Sequence, residues 1–248
     1  MKKAICKTCG KEFLYKPSNR AGKYCSRECY KIYCKMKILE LFCGTKSISK
    51  AFEKRGHEVF TLDNDKQFNP DLCIDILDFD IKMLKGFKPD IIWASPPCQT
   101  FSVASIYRYW ENGKPKNEKT LHGIAMVKKT IEIIEELNPK YYFIENPRGM
   151  LRKQDFMSNL QRRTLTYCQY GDKVQKPTDI WSNAYHWIPK KKCSPGDKCH
   201  ETARRGSDRG TQSQNRNPIK RAIIPEQLCN EIVDVCEGKM KIKQMVLK

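Results

Sequence analysis

Ser95-Pro96-Pro97-Cys98-Gln99-Thr100-Phe101-Ser102 sets a thiol directly behind two prolines. The prolines fix the backbone, so Cys98 is presented at a rigid strand end. A free cysteine is often a buried filler, but a filler needs neither this approach nor the polar exit, and the pattern favours a nucleophile. Glu145, in Glu145-Asn146-Pro147-Arg148-Gly149, directly follows an apolar run at 141–144. Hydrophobic surroundings make the protonated carboxyl more accessible, which suits a general acid or a donor to a ring nitrogen. A helix N-cap or an ion pair with Arg148 fits the same residues. The third constellation is Glu40-Leu41-Phe42-Cys43-Gly44-Thr45, with Asp63 and Asp75 further on. A strand, a glycine turn and a helix make a pocket for a nucleotide-like cofactor, and an acid closing the next strand can hold ribose hydroxyls. Asp75 fits equally well as a surface strand end.

These residues need a scaffold, and short apolar runs alternating with amphipathic stretches supply one. Residues 38–42 read as a strand ending at Cys43-Gly44. Residues 47–55 read as a helix with Ile48, Ala51 and Phe52 on one face, stopped by Gly56. Further strands at 58–62, 90–94 and 141–144 end at Asp63, at the Cys98 loop and at Glu145. Residues 124–137 form a helix with Val127, Ile131, Ile134 and Leu137 on one side. The alternation predicts an α/β fold with a mainly parallel sheet, whose binding crevice lies at the carboxyl ends of the strands. Gly44, Asp63, Cys98 and Glu145 all fall at such ends. After Arg148 the pattern weakens, 190–221 reads as a polar loop, and a helix follows through Cys236.

Residues 1–35 are a unit apart, with five cysteines and few core-building aliphatics. Cys6-x2-Cys9 and Cys25-x3-Cys29 are separated by fifteen residues, a spacing that fits a tetrahedral structural zinc site. Unpaired thiols are the alternative, with Cys34 a spare ligand. Lys11, Lys16, Arg20, Lys23 and Arg27 around this knuckle would grip phosphates or form a solvated surface. A second metal site from Cys193, Cys199 and His200, with Cys168 or His186, is conceivable, but its spacing follows no recognised pattern.

The formal net charge of +19 points to a polyanionic partner, since every phosphate neutralised releases a counterion. No run approaches the ~20 apolar residues of a membrane span, and the N-terminus is too poor in apolar residues for a signal peptide. The expectation is a cytoplasmic monomer without an obligate protein partner. Thirteen cysteines there argue for metal ligands, a catalytic thiol and buried fillers over disulfides.

Together the three constellations resemble the DNA cytosine-5 methyltransferase family. That family carries Asp/Glu-Leu-Phe-x-Gly-x-Gly for its cofactor turn, Pro-Cys-Gln-x-Phe-Ser for its nucleophile and Glu-Asn-Val for its acid. The counterparts are residues 40–45, residues 97–102, and Glu145-Asn146 followed by Pro147. The resemblance spans about 37–179, with a weaker tail through Cys236. It implies a Rossmann-like S-adenosylmethionine-dependent methyltransferase fold and double-stranded DNA as substrate. Cys98 would attack carbon 6 of a flipped-out cytosine, and Glu145 would hold ring nitrogen 3 and the exocyclic amine. Phe42 would stack on the cofactor adenine, Asp63 would hold its ribose and Asp75 its amine, with Cys43, Gly44, Thr45 and Pro96 lining the same pocket.

Three departures stand out. Lys46 replaces the second glycine. The Gln-x-Arg-x-Arg element appears only as Gln175-Lys176-Pro177-Thr178-Asp179, so the arginine that helps the glutamate hold the base is missing, and Arg148 is the candidate substitute. No large target-recognition domain is present. The expected organisation is therefore a zinc-ribbon-like unit at 1–35, a catalytic domain at 36–185, a basic, reduced target-recognition region at 186–222, and a C-terminal helix and tail at 223–248. Such compactness resembles small phage or prophage enzymes. A DNA-binding protein on a degenerate methylase fold, or a cytosine-5 enzyme acting on RNA, are the competing readings. The loop at 102–121, with Tyr107, Arg108, Tyr109 and Trp110, would close over DNA.

Overall fold

A computed structural model describes residues 1–16, 22–202 and 217–239. Arg20, much of the basic stretch and the tail beyond 239 lie outside them. The first elements are β1 (Lys2–Ile5), β2 (Glu12–Tyr15), α1 (Arg27–Tyr33), β3 (Lys37–Leu41), α2 (Ser47–Lys54), β4 (Glu58–Asp63), β5 (Leu72–Cys73) and β6 (Ile91–Ala94). There follow α3 (Ile106–Tyr109), β7 (Trp110–Glu111), β8 (Lys114–Pro115), α4 (Glu118–Leu137), β9 (Tyr141–Pro147), β10 (Arg162–Thr166), β11 (Pro177–Ser182), α5 (Pro218–Ala222) and α6 (Glu226–Cys236).

Seven strands form one sheet in the order β10-β11-β9-β6-β3-β4-β5. Strands β5, β4, β3, β6 and β9 are parallel neighbours, while β11 runs antiparallel between β9 and β10. The chain begins in the middle at β3, moves out to β5, then returns to β6 and builds toward the other edge. That reversal between β3 and β6 leaves a crevice where their exit loops diverge.

Alternation along each strand splits the core into two layers. Ile38, Ile91, Trp93, Phe143 and Ile180 face α2 and α6, against Ile48, Phe52, Leu228 and Ile232. Leu39, Leu41, Ile92, Ala94 and Ile144 face the other way, toward Val127, Ile133 and Ile134 of α4. Trp187 also belongs to the first layer, so the core continues into the start of the region read from sequence as basic. Arg55 clamps α6 through Asp234 at 2.8 Å and Glu237 at 2.7 Å. Among the described residues no helix is long and apolar enough to cross a membrane.

The strands and helices expected before residue 145 are present, with three differences. Helix α4 starts at Glu118, capped by the Asn117 side chain, which accepts from Thr120 N. Its buried face runs through Thr120, Gly123, Val127, Thr130, Ile133 and Ile134, leaving Ile131 and Leu137 at the margin. Gly123 sits against Thr100 on this face, and a Cβ there would lie 2.5 Å from Thr100 Oγ1, so any larger residue would force one of them to shift. Finally, β9 runs past Glu145, and β10 and β11 complete a sheet edge that the pattern after Arg148 does not announce.

Glu40 is buried within β3 and accepts from Ser49 N at 2.9 Å and from the Ser49 hydroxyl. Burial pushes its carboxyl up to about 7, against those hydrogen bonds. The folded state thus binds the proton more tightly than the unfolded chain, and Glu40 makes stability fall as pH rises from 4.5 to about 7. Its contribution is on the order of 3 kcal/mol. Melting temperatures across this range should show the decline, and Glu40→Gln should flatten it; parallel curves for the two proteins would refute the assignment.

Candidate active site

Cys98 leaves the sheet after β6, and Glu145 lies in the neighbouring β9. The last β6–β9 pair is Ala94 with Ile144, so Glu145 stands one residue beyond that register. It remains inside the β9–β11 ladder, opposite Ile180, and the antiparallel strand fixes its direction. Two contacts join the loops. Asn146, fully buried, donates through Nδ2 to Pro96 O at 2.9 Å. Gly149 lies against Phe101, where a Cβ would come within 2.0 Å of the carbonyl oxygen, and Met150 N donates to that oxygen at 2.8 Å. Cys98 O in turn accepts from Phe101 N and Ser102 N.

Cys98 reaches solvent, yet its thiol is packed round by protein, and that desolvation pushes it above its ordinary value. Lys176 pulls it down, Glu145 pushes it up, and Arg221 also lowers it. Glu145 is 6% exposed, and its Oε1 accepts from the Tyr167 hydroxyl at 2.9 Å. Burial beside that carboxylate raises Tyr167 well above a free phenol, which keeps it a donor. Lys176 lies over the Tyr167 ring at 4.4 Å and donates to Arg221 O at 2.9 Å.

Arg148 does not join this group. Its side chain is exposed, and it makes no hydrogen bond or ion pair with Glu145 among the described residues. Its position follows from its amide, which donates to Pro177 O as the strand leaves the sheet. Asp179, at the second arginine position of the lost element, is fully buried and paired with Arg152, whose Nε donates to Oδ2 at 2.8 Å. That slot therefore holds a carboxylate, and its partner guanidinium comes from the segment after Gly149. Tyr167 and Lys176 are the residues that sequence reasoning missed. A tyrosine eight residues before the degenerate Gln175-Lys176 was the available signal.

The cofactor turn sits at the β3 end of the crevice. Phe42, half-buried, and Lys46 both take the left-handed conformation, at φ 57° and 56°, with Gly44 at 44° between them. Lys46 thus adopts the conformation that glycine favours. Asp63 binds the turn directly, its Oδ2 accepting from Gly44 N and its Oδ1 from Asp65 N, each at 2.9 Å. Nothing lies within 4 Å of a Cβ built on Gly44, so the turn is open above. Cys43 is buried, and its thiol is pushed up to about 12 by desolvation. Thr45 pairs with Ser47 at 3.0 Å. Asp75 accepts from Leu77 N at 2.9 Å, capping a short turn and not ending a strand.

In the 102–121 loop, Trp110 and Tyr109 are buried anchors, with Trp110 Nε1 donating to Thr100 O at 2.6 Å. Tyr107 is 63% exposed and carries Arg108 over its ring. At the N-terminus, the Cys6, Cys9, Cys25 and Cys29 sulfurs lie within 4.8 Å of one another; Cys34 is not among them. Desolvation pushes Cys6 up, but the amides of Cys9, Cys25 and Thr8 outweigh it and bring the thiol to about 6.

The parallel sheet with its central reversal, the open glycine turn, and the thiol and carboxylate at adjacent strand ends define an S-adenosylmethionine-dependent methyltransferase fold. The C-5 cytosine-specific DNA methylase family matches residues 36–164, more than half of the chain, and the protein belongs to that family of S-adenosylmethionine-dependent enzymes. A relative named "Probable DNA (cytosine-5)-methyltransferase" from Frog virus 3 (isolate Goorha) is 29% identical over 222 residues, covering 81% of this chain and 100% of that protein. Type II methyltransferase M.FnuDI of Fusobacterium nucleatum is 27% identical over 128 residues, 48% of this chain and 35% of its own. The chain therefore spans about a third of the bacterial relative. The solved S. pombe Dnmt2 methyltransferase is 16% identical, covers 60% of this chain and 49% of that one, and superposes with a TM-score of 0.44.

If Lys176 holds the Cys98 thiol down, Lys176→Met should move the pH profile of Cys98 alkylation to higher pH. Iodoacetamide labelling followed by peptide mapping reads this directly. An unmoved profile would remove Lys176 from the site.

Proposed function

We propose that the protein methylates carbon 5 of cytosine in double-stranded DNA through a covalent adduct with Cys98. The observation that carries this reading is the tie between the nucleophile's loop and the acid's strand, Asn146 Nδ2 to Pro96 O. It holds a thiol and a carboxylate side by side at the crevice.

Cys98, with Lys176 favouring its thiolate, adds to carbon 6 of a cytosine turned out of the helix. Glu145 meets ring nitrogen 3 and the exocyclic amine, while the Tyr167 hydroxyl holds its other side. That hydroxyl supplies a donor to the carboxylate where the family uses an arginine. Addition at carbon 6 makes carbon 5 nucleophilic, and loss of the carbon-5 proton later expels Cys98. The open turn at Gly44 fits S-adenosylmethionine, which when bound supplies the methyl group. Phe42, Cys43, Gly44, Thr45, Asp63, Asp75 and Pro96 would hold it. Arg148, exposed beside the crevice, is better placed for a DNA phosphate than for the base. The basic residues after 186 and the exposed Tyr107-Arg108 would meet the duplex. A single chain in the cytoplasm, where thiols stay reduced, suits this chemistry.

DNA containing 5-fluorocytosine should trap the enzyme, because fluorine blocks the final elimination. Wild-type protein with cofactor should form a denaturant-stable adduct and Cys98→Ser none. Tyr167→Phe should slow adduct formation by roughly 10- to 100-fold, the worth of one hydrogen bond to a charged group. No adduct from wild-type protein that still binds cofactor would leave a DNA-binding protein on a methylase fold.

For the N-terminal unit we infer a structural zinc ion on Cys6, Cys9, Cys25 and Cys29, the sulfurs already gathered at 3.5 Å for Cys9–Cys25 and Cys25–Cys29. So short a segment has little core of its own, and metal binding would contribute its folding energy. Cys6→Ser or Cys25→Ser should each lower the zinc content by one ion per chain; unchanged content would exclude the site.

A further inference from the structure

Four metal-ligating side chains meet at a second place, far apart in sequence. Cys168 lies in the turn after β10, while Cys193, Cys199 and His200 come from the basic segment that follows the sheet. Their ligand atoms all lie within 4.8 Å of one another. The individual separations are Cys168 Sγ–Cys193 Sγ 3.2 Å, Cys168 Sγ–Cys199 Sγ 3.7 Å, Cys193 Sγ–His200 Nδ1 3.7 Å and Cys199 Sγ–His200 Nδ1 3.5 Å.

These lengths discriminate between possible roles. A disulfide needs sulfurs about 2.05 Å apart, and none of these pairs is near that. A tetrahedron with Zn–S about 2.3 Å and Zn–N about 2.05 Å has edges of about 3.8 Å between sulfurs and about 3.6 Å between sulfur and nitrogen. Three of the four separations match those figures, and Cys168–Cys193 at 3.2 Å is the one that an ion would have to widen, by about 0.6 Å.

The surroundings are also those of a metal site. Gln175 Nε2 donates to Cys193 Sγ and Gln169 Nε2 to Cys199 Sγ, each at 3.3 Å. Outer hydrogen bonds of this kind orient thiolates and offset their charge. The Cys193 amide is itself held, donating to Thr166 Oγ1 at 3.1 Å. His186 is directed elsewhere, with Nε2 at 3.4 Å from Val235 O.

We propose that Cys168, Cys193, Cys199 and His200 form a second structural zinc site, which fastens the basic segment after residue 190 to the catalytic sheet. Three thiolates and a neutral imidazole close the coordination shell, so the ion has no open position for catalysis. The anchor point is chosen by the fold. Cys168 adjoins Tyr167, the donor to Glu145, so the ion ties the DNA-facing segment to the residue that positions the acid. None of its ligands belongs to the N-terminal knuckle or to the active site, and the site stands or falls independently of methyl transfer.

Zinc per chain, counted on the purified full-length protein by elemental analysis and native mass spectrometry, is expected to be two. Cys199→Ser and His200→Ala should each lower it to one, and adding Cys25→Ser should lower it to none. His200→Cys should retain both ions, since four thiolates make an equally closed site. Cobalt substitution of the unmutated protein needs no variant to fold: it should give the visible spectrum of three sulfurs and one nitrogen alongside that of four sulfurs. Trypsin should cut within 190–221 faster in Cys199→Ser than in wild type or His200→Cys. A wild-type count of one that Cys199→Ser does not change would overturn the proposal. So would a Cys168–Cys193 disulfide found in place of the second ion.

Discussion

The hydrogen bond from Asn146 to Pro96 O is the constraint on which the site depends. Cys98 and Glu145 belong to different loops, and parallel neighbours guarantee only that both loops leave the same end of the sheet. The Asn146 amide converts that proximity into a fixed relation. It is fully buried, and among the described residues its Oδ1 accepts no hydrogen bond. Gly149 against Phe101 repeats the tie a few residues on, and only a residue without Cβ permits it. The rigidity begun by the two prolines before Cys98 is thereby carried across to the acid's strand.

Charge around the thiol follows from the same geometry. Desolvation works against a thiolate, and the nearby Glu145 works against it further. The larger compensating cation is Lys176, held by the Tyr167 ring and by Arg221 O, with the Arg221 guanidinium the smaller. Other residues stand around the positions of the absent Gln-x-Arg-x-Arg arginines. Tyr167 gives a hydrogen bond to Glu145, and Arg152 pairs with Asp179. A compact chain has rebuilt the polar floor of the crevice from residues of other types.

How much was legible in the sequence varied with the range of the interaction. Strands β3, β4, β6 and the start of β9 show as apolar runs because both of their faces are buried. The thiol and the glycine turn were visible because each sits at a strand end marked by Pro or Gly, and the carboxylate because it closes an apolar run before Asn146-Pro147. Strand β10, with Arg162-Arg163-Thr164-Leu165-Thr166, has too mixed a pattern to announce itself, and β11 opens on a proline. Tyr167, Lys176 and the Asp179–Arg152 pair acquire their roles only when β11 enters between β9 and β10. Cys168, Cys193, Cys199 and His200 are likewise joined by tertiary folding and not by spacing. Arg148 misled because adjacency in sequence says little about direction where a strand leaves a sheet.

The insertion of β11 also dictates the order in which the protein can be assembled. After β3, the sheet strands β4, β5, β6 and β9 are laid down in succession, and each finds its parallel neighbour already made. Strand β9 is then left with one bare edge, and β10 cannot cover it, because β10 pairs only with the strand that follows it. The edge is covered only after residues 177–182 have been synthesised. Until then the growing chain exposes an unpaired strand that carries Glu145, a template for pairing with another chain. A nascent cytosine methylase of this design is most vulnerable to misassembly in the interval when only its last sheet edge is missing.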